Sequence, residues 1–362
     1  MSLETFGWNA TWTETFAPHA EAGLVPARVV CELRRKFYAV QLEDREALAE
    51  CSPGFFHDAR DVDQWPAVGD WVAVALRDGE ADRRVDIHAV LPRRTKFSRR
   101  AAGDEEIEQI VAANVDTVFL VSGLDRNFNP ARIQRFLVAA RESGADPVVI
   151  LNKADLHPDP LGVKREVAAL IPGVPILITS ARRRSGLPAL RTYARRGHTL
   201  AVIGSSGVGK SSLINRLTGE ADMPVGEVRE KDSKGRHTTT RREIVVTSSG
   251  ALIIDTPGMR ELQLWGIEDG IDGAFADIAE LAKSCKFTNC THTNEPGCSV
   301  RAAVEQGTLP AARLNTYTKL KIESIAQGKI VAQGRRAQAS DNRKKFRVLN
   351  AERDAWKKRL DE

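Results

Sequence analysis

The sequence predicts a multidomain chain: a small β-barrel in front, a parallel α/β unit in the middle and a mainly helical unit behind. Three observations predict it. Short Val- and aromatic-rich segments with turn signals and little helix run from Ala27 to Leu91, the pattern of a small barrel. Strand-like and helix-like segments then alternate from Asp116 to Ile254, which implies a parallel sheet covered on both faces. Three of the five cysteines fall between Cys285 and Cys298, inside a stretch that otherwise reads as helical.

Composition agrees with a folded protein. The 362 residues are 42% hydrophobic and 28% charged, ordinary for globular domains, and the length suggests two or three of them. The net charge of +5 tolerates a nucleic-acid partner without requiring one. The segment from Val331 to Glu362 carries ten Lys and Arg against five Asp and Glu, so the basic excess is concentrated at the C-terminus. Sparse, odd-numbered cysteines argue against a disulfide scaffold. The first residues lack the basic lead and apolar stretch of a secretory signal, and no apolar run reaches the ~20 residues of a membrane helix. A cytoplasmic protein with no membrane partner is expected.

In the front unit, residues 1–22 form an extension with aromatics interleaved among polar residues. Barrel strands are expected at Ala27–Leu33, Phe37–Leu42, Val68–Val74 and Arg84–Leu91. The barrel spans 23–96 and ends in the basic linker Arg93-Arg94-Thr95-Lys96. The middle unit, 97–266, opens with the strand Asp116–Ser122 and the helix Pro130–Ser143. Further strands are expected at Asp146–Leu151, Pro175–Thr179, His198–Ile203, Glu243–Thr247 and Ala251–Ile254, with helices at Leu161–Leu170 and Leu187–Arg195. The last unit is 267–362.

Gly204-Ser205-Ser206-Gly207-Val208-Gly209-Lys210-Ser211, followed by Ser212, fits G-x-x-x-x-G-K-[ST] between a strand and a helix, the setting the motif requires. Its backbone N–H groups and the positive helix end suit phosphate oxygens. Lys210 is expected at the β- and γ-phosphates and Ser211 on Mg²⁺. The base is specified by Asn152-Lys153-Ala154-Asp155 at a strand end. A carboxylate at Asp155 accepts from guanine's ring N–H and amino group, whereas adenine leaves that charge unpaired. Lys153 lies along the base, and Ser180-Ala181 offers a backbone N–H to the guanine oxygen. Asp255-Thr256-Pro257-Gly258 supplies a water-mediated Mg²⁺ ligand at Asp255 and a γ-phosphate sensor at Gly258. Of Thr238, Thr239 and Thr240, Thr239 is preferred as the residue that closes over Mg²⁺.

These are the parts of a GTPase in permuted order, because N-K-x-D and Ser180-Ala181 precede the P-loop. The residue after Gly258 is Met259, where Ras-like GTPases carry a water-orienting glutamine, so slow intrinsic hydrolysis is expected. His237 is a candidate to position the water; a solvent-facing loop histidine is the competing reading. Cys285-x4-Cys290-x-His292-x5-Cys298 offers three thiolates and an imidazole, a set that suits one structural Zn²⁺. Arg34, Arg35, Lys36, Phe37 and Tyr38 could form an RNA surface on the barrel, or be solvated residues on a packed one. The C-terminal basic segment is a second candidate surface.

The permuted order, Val68-Gly69-Asp70-Trp71, Leu91-Pro92-Arg93-Arg94, Gly235-Arg236-His237-Thr238-Thr239-Thr240 and the cysteine cluster together resemble the ribosome small-subunit-dependent GTPase A (RsgA, YjeQ) family over almost the whole chain. The resemblance implies an OB-fold, a circularly permuted GTPase domain and a zinc domain. It implies GTP with Mg²⁺ as the nucleotide and a role in late maturation of the 30S subunit. It further implies contact with 16S rRNA and hydrolysis stimulated by the subunit. A monomer is expected.

Overall fold

The computed structural model describes residues 2–33, 37–58, 64–77, 84–100, 108–219, 242–255 and 267–325. The front unit holds strands β1 (Val25–Glu32), β2 (Tyr38–Gln41), β3 (Glu46–Cys51), β4 (Trp71–Leu76) and β5 (Arg84–Val90). They pair in the order β1-β2-β3-β5-β4, and β4 closes back on β1. This is the five-stranded barrel of an OB-fold. Val29, Val40, Ala49, Val72, Val74 and Ile87 fill its interior.

The β4 segment does not show the one-sided burial that its alternating sequence suggests. Val72 and Val74 face the barrel interior, while Trp71 and Ala73 are buried on the outside with Leu3, Phe6, Trp12 and Phe16. Those four belong to the N-terminal extension, which forms a short 3₁₀ turn (Leu3–Phe6) and helix α1 (Ala10–Glu21). Asn9 caps α1 by accepting from the Trp12 amide, satisfying one of the helix's orphan donors. The extension is therefore a lid on the outer barrel wall. Strand β3 was absent from the sequence-based expectations. Its Glu and Ala residues favour helix, but pairing with β2 and β5 overrides that preference. Ala47, Ala49 and Cys51 then point inward.

The middle unit begins with a hairpin of β6 (Lys96–Arg100) and β7 (Glu108–Ala113), which supplies Phe97 and Val111 to the central core. Strands β8 (Thr117–Gly123), β9 (Asp146–Asn152), β10 (Ile176–Ile178), β11 (Thr199–Ile203), β12 (Arg242–Val246) and β13 (Leu252–Asp255) follow. Their order is β10-β9-β8-β11-β13-β12, parallel except for β12. Helices α3 (Pro130–Ser143), α4 (Pro160–Leu170), α5 (Leu187–Arg191) and α6 (Lys210–Thr218) cover it; α2 (Pro53–Asp58) lies earlier, beside the barrel. Helix α5 is shorter than the segment read from the sequence. β11, at the centre of the sheet, is only the fourth of that sheet's six strands in chain order. β12 also pairs antiparallel with β1, Cys31 opposite Glu243, so sheet and barrel are continuous.

Helices α7 (Ile267–Ala274), α8 (Ala276–Ala282), α9 (Ser299–Glu305) and α10 (311–325) complete the described chain. Ile271, Phe275, Val300 and Tyr317 share one core with Leu137 and Val138 of α3. Arg135 pairs with Glu323 at 2.9 Å across that seam.

Candidate functional site

Every parallel strand of the sheet delivers its C-terminal end to one edge, where open α/β sheets bind ligands. The loops after β8, β9, β10 and β11 meet there. The glycine-rich loop follows β11 and opens α6 at Lys210. A Cβ at Gly204 would stand 2.4 Å from the Val121 carbonyl oxygen. Gly209 has φ +96°, and a Cβ there would stand 2.4 Å from Asn152 Nδ2. Both contacts forbid a larger residue, so the glycines permit the close fit. Lys210 Nζ donates to the carbonyls of Gly204 at 2.7 Å and Ser205 at 2.6 Å. Ser211 and Ser212 lie in the first turn of α6, and Ser206, Gly207 and Val208 form the crest of the loop.

Asn152 ties three loops together. It is 1% exposed. Its Nδ2 donates to the Val208 carbonyl at 2.9 Å. Its Oδ1 accepts from the Thr179 hydroxyl at 3.1 Å and from the Ala181 amide at 3.2 Å. All the hydrogen-bonding capacity visible on this amide goes to fixing the glycine-rich loop against the β10 loop. Asp155 accepts from the Ser180 hydroxyl at 2.5 Å. That bond, ahead of a small opposing effect of burial, holds the Asp155 carboxyl below its usual range, so it is an acceptor at neutral pH.

Lys153 takes a left-handed backbone, φ +60°, and its Nζ pairs with Asp125 at 2.6 Å. Asp125 stands two residues beyond the end of β8, and the lysine holds its carboxyl low. Arg132, in the first turn of α3, donates from Nη1 to the Ser205 hydroxyl at 3.0 Å. Neither Asp125 nor Arg132 was expected from the sequence. The only signal was position, since both follow a strand that ends on the ligand edge. Asp255 ends β13 with its backbone opposite Glu243; its side chain lies outside the described residues. His237, Thr238, Thr239, Thr240, Gly258, Met259, Arg34, Arg35, Lys36 and the basic segment 331–362 lie outside them too.

The cysteine cluster sits between α8 and α9. The ligand atoms of Cys285, Cys290, His292 and Cys298 all lie within 4.8 Å of one another. Cys285 Sγ is 3.9 Å from Cys298 Sγ, a separation that excludes a disulfide. His292 Nδ1 is 3.7 Å from Cys285 Sγ and 3.4 Å from Cys298 Sγ. A tetrahedral zinc ion with ordinary bond lengths spaces two sulfurs about 3.8 Å apart, and sulfur and nitrogen about 3.5 Å apart. The three distances match the edges of that tetrahedron, so the residues fit the ion. Burial pulls the His292 imidazole below its usual value, which favours the neutral form a metal needs. Burial alone would raise the Cys285 thiol, but the amides of Val300 and Ser299 bring it below its usual value. Burial pushes Cys290 up to about 11. Cys298 also caps α9, its Sγ accepting from the Arg301 amide at 3.5 Å.

Comparison with known proteins decides the family. The chain is 47% identical over 367 residues to the small ribosomal subunit biogenesis GTPase RsgA of Opitutus terrae, covering 99% of this chain and 96% of that protein. The chain belongs to the RsgA GTPase family. The RsgA GTPase family description itself matches residues 90–265. RsgA of Xanthomonas euvesicatoria is 42% identical over 94% of this chain and 95% of its own length. Among solved structures, YjeQ from Thermotoga maritima superimposes with a TM-score of 0.63 at 28% identity, covering 83% of this chain and 99% of that one. YloQ, a circularly permuted GTPase, gives 0.61 at 25% identity, covering 84% and 96%. The RsgA assignment matches the observed strand order, with the P-loop strand β11 late in the chain but central in the sheet. The chain is a GTPase with a front barrel, a permuted central domain and a helical region that holds a Cys₃His cluster. No described helix is long and apolar enough to cross a membrane.

Proposed function

We propose that this protein binds GTP at the sheet edge and hydrolyses it while docked on the 30S ribosomal subunit late in that subunit's assembly, in the cytoplasm. The observation that carries this reading is Asn152, which locks the P-loop to the base-reading loops. That arrangement supports one ligand spanning both, a guanine nucleotide with its phosphates on Gly204–Ser211 and its base at Asp155. Lys210 would meet the β- and γ-phosphates, and Ser211, Asp255 and Thr239 would hold Mg²⁺. Magnesium supplies charge neutralisation at the phosphates. Zn²⁺ on Cys285, Cys290, His292 and Cys298 would have a structural part, since four protein ligands leave no open position.

The small subunit as partner is supported by the function that the relatives' names give, small ribosomal subunit biogenesis, and 16S rRNA contact by the basic segments of the sequence. With Met259 in the place of a water-orienting glutamine, His237 or a group on the subunit would position the water. A second reading, favoured by Met259 alone, makes the protein an RNA-binding placement module in which GTP is a clamp. GTP turnover measured alone, with 30S and with 50S subunits separates them. Stimulation by 30S only is expected. GTP-dependent 30S binding without stimulation would favour the clamp, and stimulation by 50S only would overturn the partner.

A further inference from the structure

Two cations converge on one residue of the P-loop, one on its backbone and one on its side chain. Lys210 holds the Ser205 carbonyl at 2.6 Å, and Arg132 holds the Ser205 hydroxyl at 3.0 Å. Arg132 is placed by α3, whose first turn is fixed by Asn129 accepting from the Arg132 amide at 3.2 Å and by Pro130 at the first helical position. The side chain is half-buried. Among the described residues it has no carboxylate partner; its one polar contact there is Ser205.

This is an unusual place for a guanidinium. Among the described residues, three other half-buried or buried arginines face acids: Arg77 meets Asp86, Arg93 meets Asp70 and Arg313 meets Asp277; the buried Arg28 instead serves backbone carbonyls and a hydroxyl. A partly desolvated charge aimed at a phosphate cradle adds to the field that the P-loop amides and Lys210 create, and charge-assisted contacts to phosphate are among the strongest that arginine makes. A hydroxyl alone would be satisfied by any donor, lysine or water included; a fixed guanidinium on this loop adds positive potential to the glycine-rich cradle.

We propose that Arg132 is a positioning residue of the nucleotide site. Held on Ser205, it lends its charge to the P-loop and favours the triphosphate over the diphosphate. The inference rests on the guanine-nucleotide reading of this edge. A triphosphate carries more negative charge than a diphosphate, so the added potential favours it selectively, whereas a strut that merely stiffened the loop would help both alike.

The test is titration calorimetry with GDP and with a non-hydrolysable GTP analogue on the full chain, using Arg132→Gln, Arg132→Lys and Lys210→Ala. Glutamine can still donate to the Ser205 hydroxyl but has no charge; lysine keeps the charge. Arg132→Gln is expected to weaken the analogue about tenfold and GDP less than about threefold, and Arg132→Lys to recover most of the difference. Equal losses for the two nucleotides, or a lysine variant no better than glutamine, would overturn the charge assignment. If the wild type binds neither nucleotide, or Lys210→Ala binds both normally, the nucleotide-site reading itself falls and takes this inference with it. Thermal melts of each variant distinguish weakened binding from misfolding.

Discussion

Arg28, in the first strand of the barrel, donates from Nη2 to the hydroxyl of Thr199 at 2.9 Å, and Thr199 is the first residue of the strand that feeds the P-loop. The same guanidinium donates to the carbonyls of Phe6, Gly69 and Asn114 and lies 5.1 Å from the ring of Trp71. One side chain thereby joins the N-terminal extension, the barrel, the turn between β7 and β8 and the GTPase sheet. Arg313 does the corresponding work at the other seam. It pairs with Asp277, donates to the carbonyls of Ala274 and Leu170, and lies 4.6 Å from Phe275. Leu170 ends α4 of the central domain, so each flanking unit is fastened to the GTPase by one buried arginine. Arginine suits this part because its planar fork serves several carbonyls at once and is weakly hydrated.

Removing Arg28 takes the side-chain donor from the buried carbonyls of Phe6 and Asn114 and from the Thr199 hydroxyl, while the Gly69 carbonyl keeps the Asn114 side-chain amide. Each unsatisfied group costs about 1–3 kcal/mol. Burial pulls the guanidinium down to about 10, with Asp116 and Asp70 opposing, so it stays charged at neutral pH. Arg28→Ala should lose about 3 kcal/mol or more of stability, and Arg28→Lys should recover little, since one ammonium cannot reach acceptors spread around a fork. Thermal unfolding checks this. A lysine variant as stable as wild type would show that the fork geometry is unimportant.

The Asp277–Arg313 pair gives the C-terminal helices an acid-sensitive joint. Burial works to raise the Asp277 carboxyl, but the Arg313 pair outweighs it and the value lies below the usual one. The folded state therefore binds this proton less readily than the unfolded chain. The stabilisation is fully present above the ordinary aspartate range, about pH 4, and is lost as pH falls through the lower folded value. Asp277→Asn should lower stability at pH 7 and flatten the acid limb of a melting-temperature profile. An unchanged acid slope would mean that other carboxylates govern it.

Cys298 caps α9 and is also a proposed metal ligand, and a serine substitution separates the two uses. Serine is a good cap but cannot replace a thiolate on zinc. The purified protein should carry about one zinc ion per chain, and Cys298→Ser should lose it and loosen the C-terminal region even though the cap persists. Metal analysis and limited proteolysis read the two effects. Full zinc content in the serine variant would remove Cys298 from the ligand set.

What could be read from the sequence was what chemistry constrains locally. The P-loop, N-K-x-D and the Cys-His spacing each need particular residues at fixed offsets, so they were visible without a fold. Strand β3 was not, because Glu46-Ala47-Leu48-Ala49-Glu50 favours helix and only its neighbours make it a strand. Nor was the covering of the outer face of Trp71 by Trp12 and Phe16, a contact between distant segments. Arg28 reads as a polar break in an apolar strand until its acceptors arrive from residues as remote as Thr199. Asp125 and Arg132 fail for the same reason. Their meaning comes from Lys153 and Ser205, which the fold supplies and spacing does not.

Asp155 offers the sharpest test of base recognition. Its carboxylate, held low by the Ser180 hydroxyl at 2.5 Å, is an acceptor at the proposed base position. Guanine presents donors there; xanthine presents a carbonyl in place of the amino group. Asp155→Asn puts an amide donor at the same position with almost the same shape. A site built around hydrogen bonds rejects a base that leaves them unpaired by a large factor. The variant should therefore bind GTP about a hundredfold more weakly or worse, and bind xanthosine triphosphate better than wild type does. Asn152→Ala should behave differently. It removes bonds to Val208, Thr179 and Ala181, which belong to the protein rather than to the base, so both nucleotides should weaken together. If Asp155→Asn also weakens both together, the carboxylate supports the loop and does not read the base.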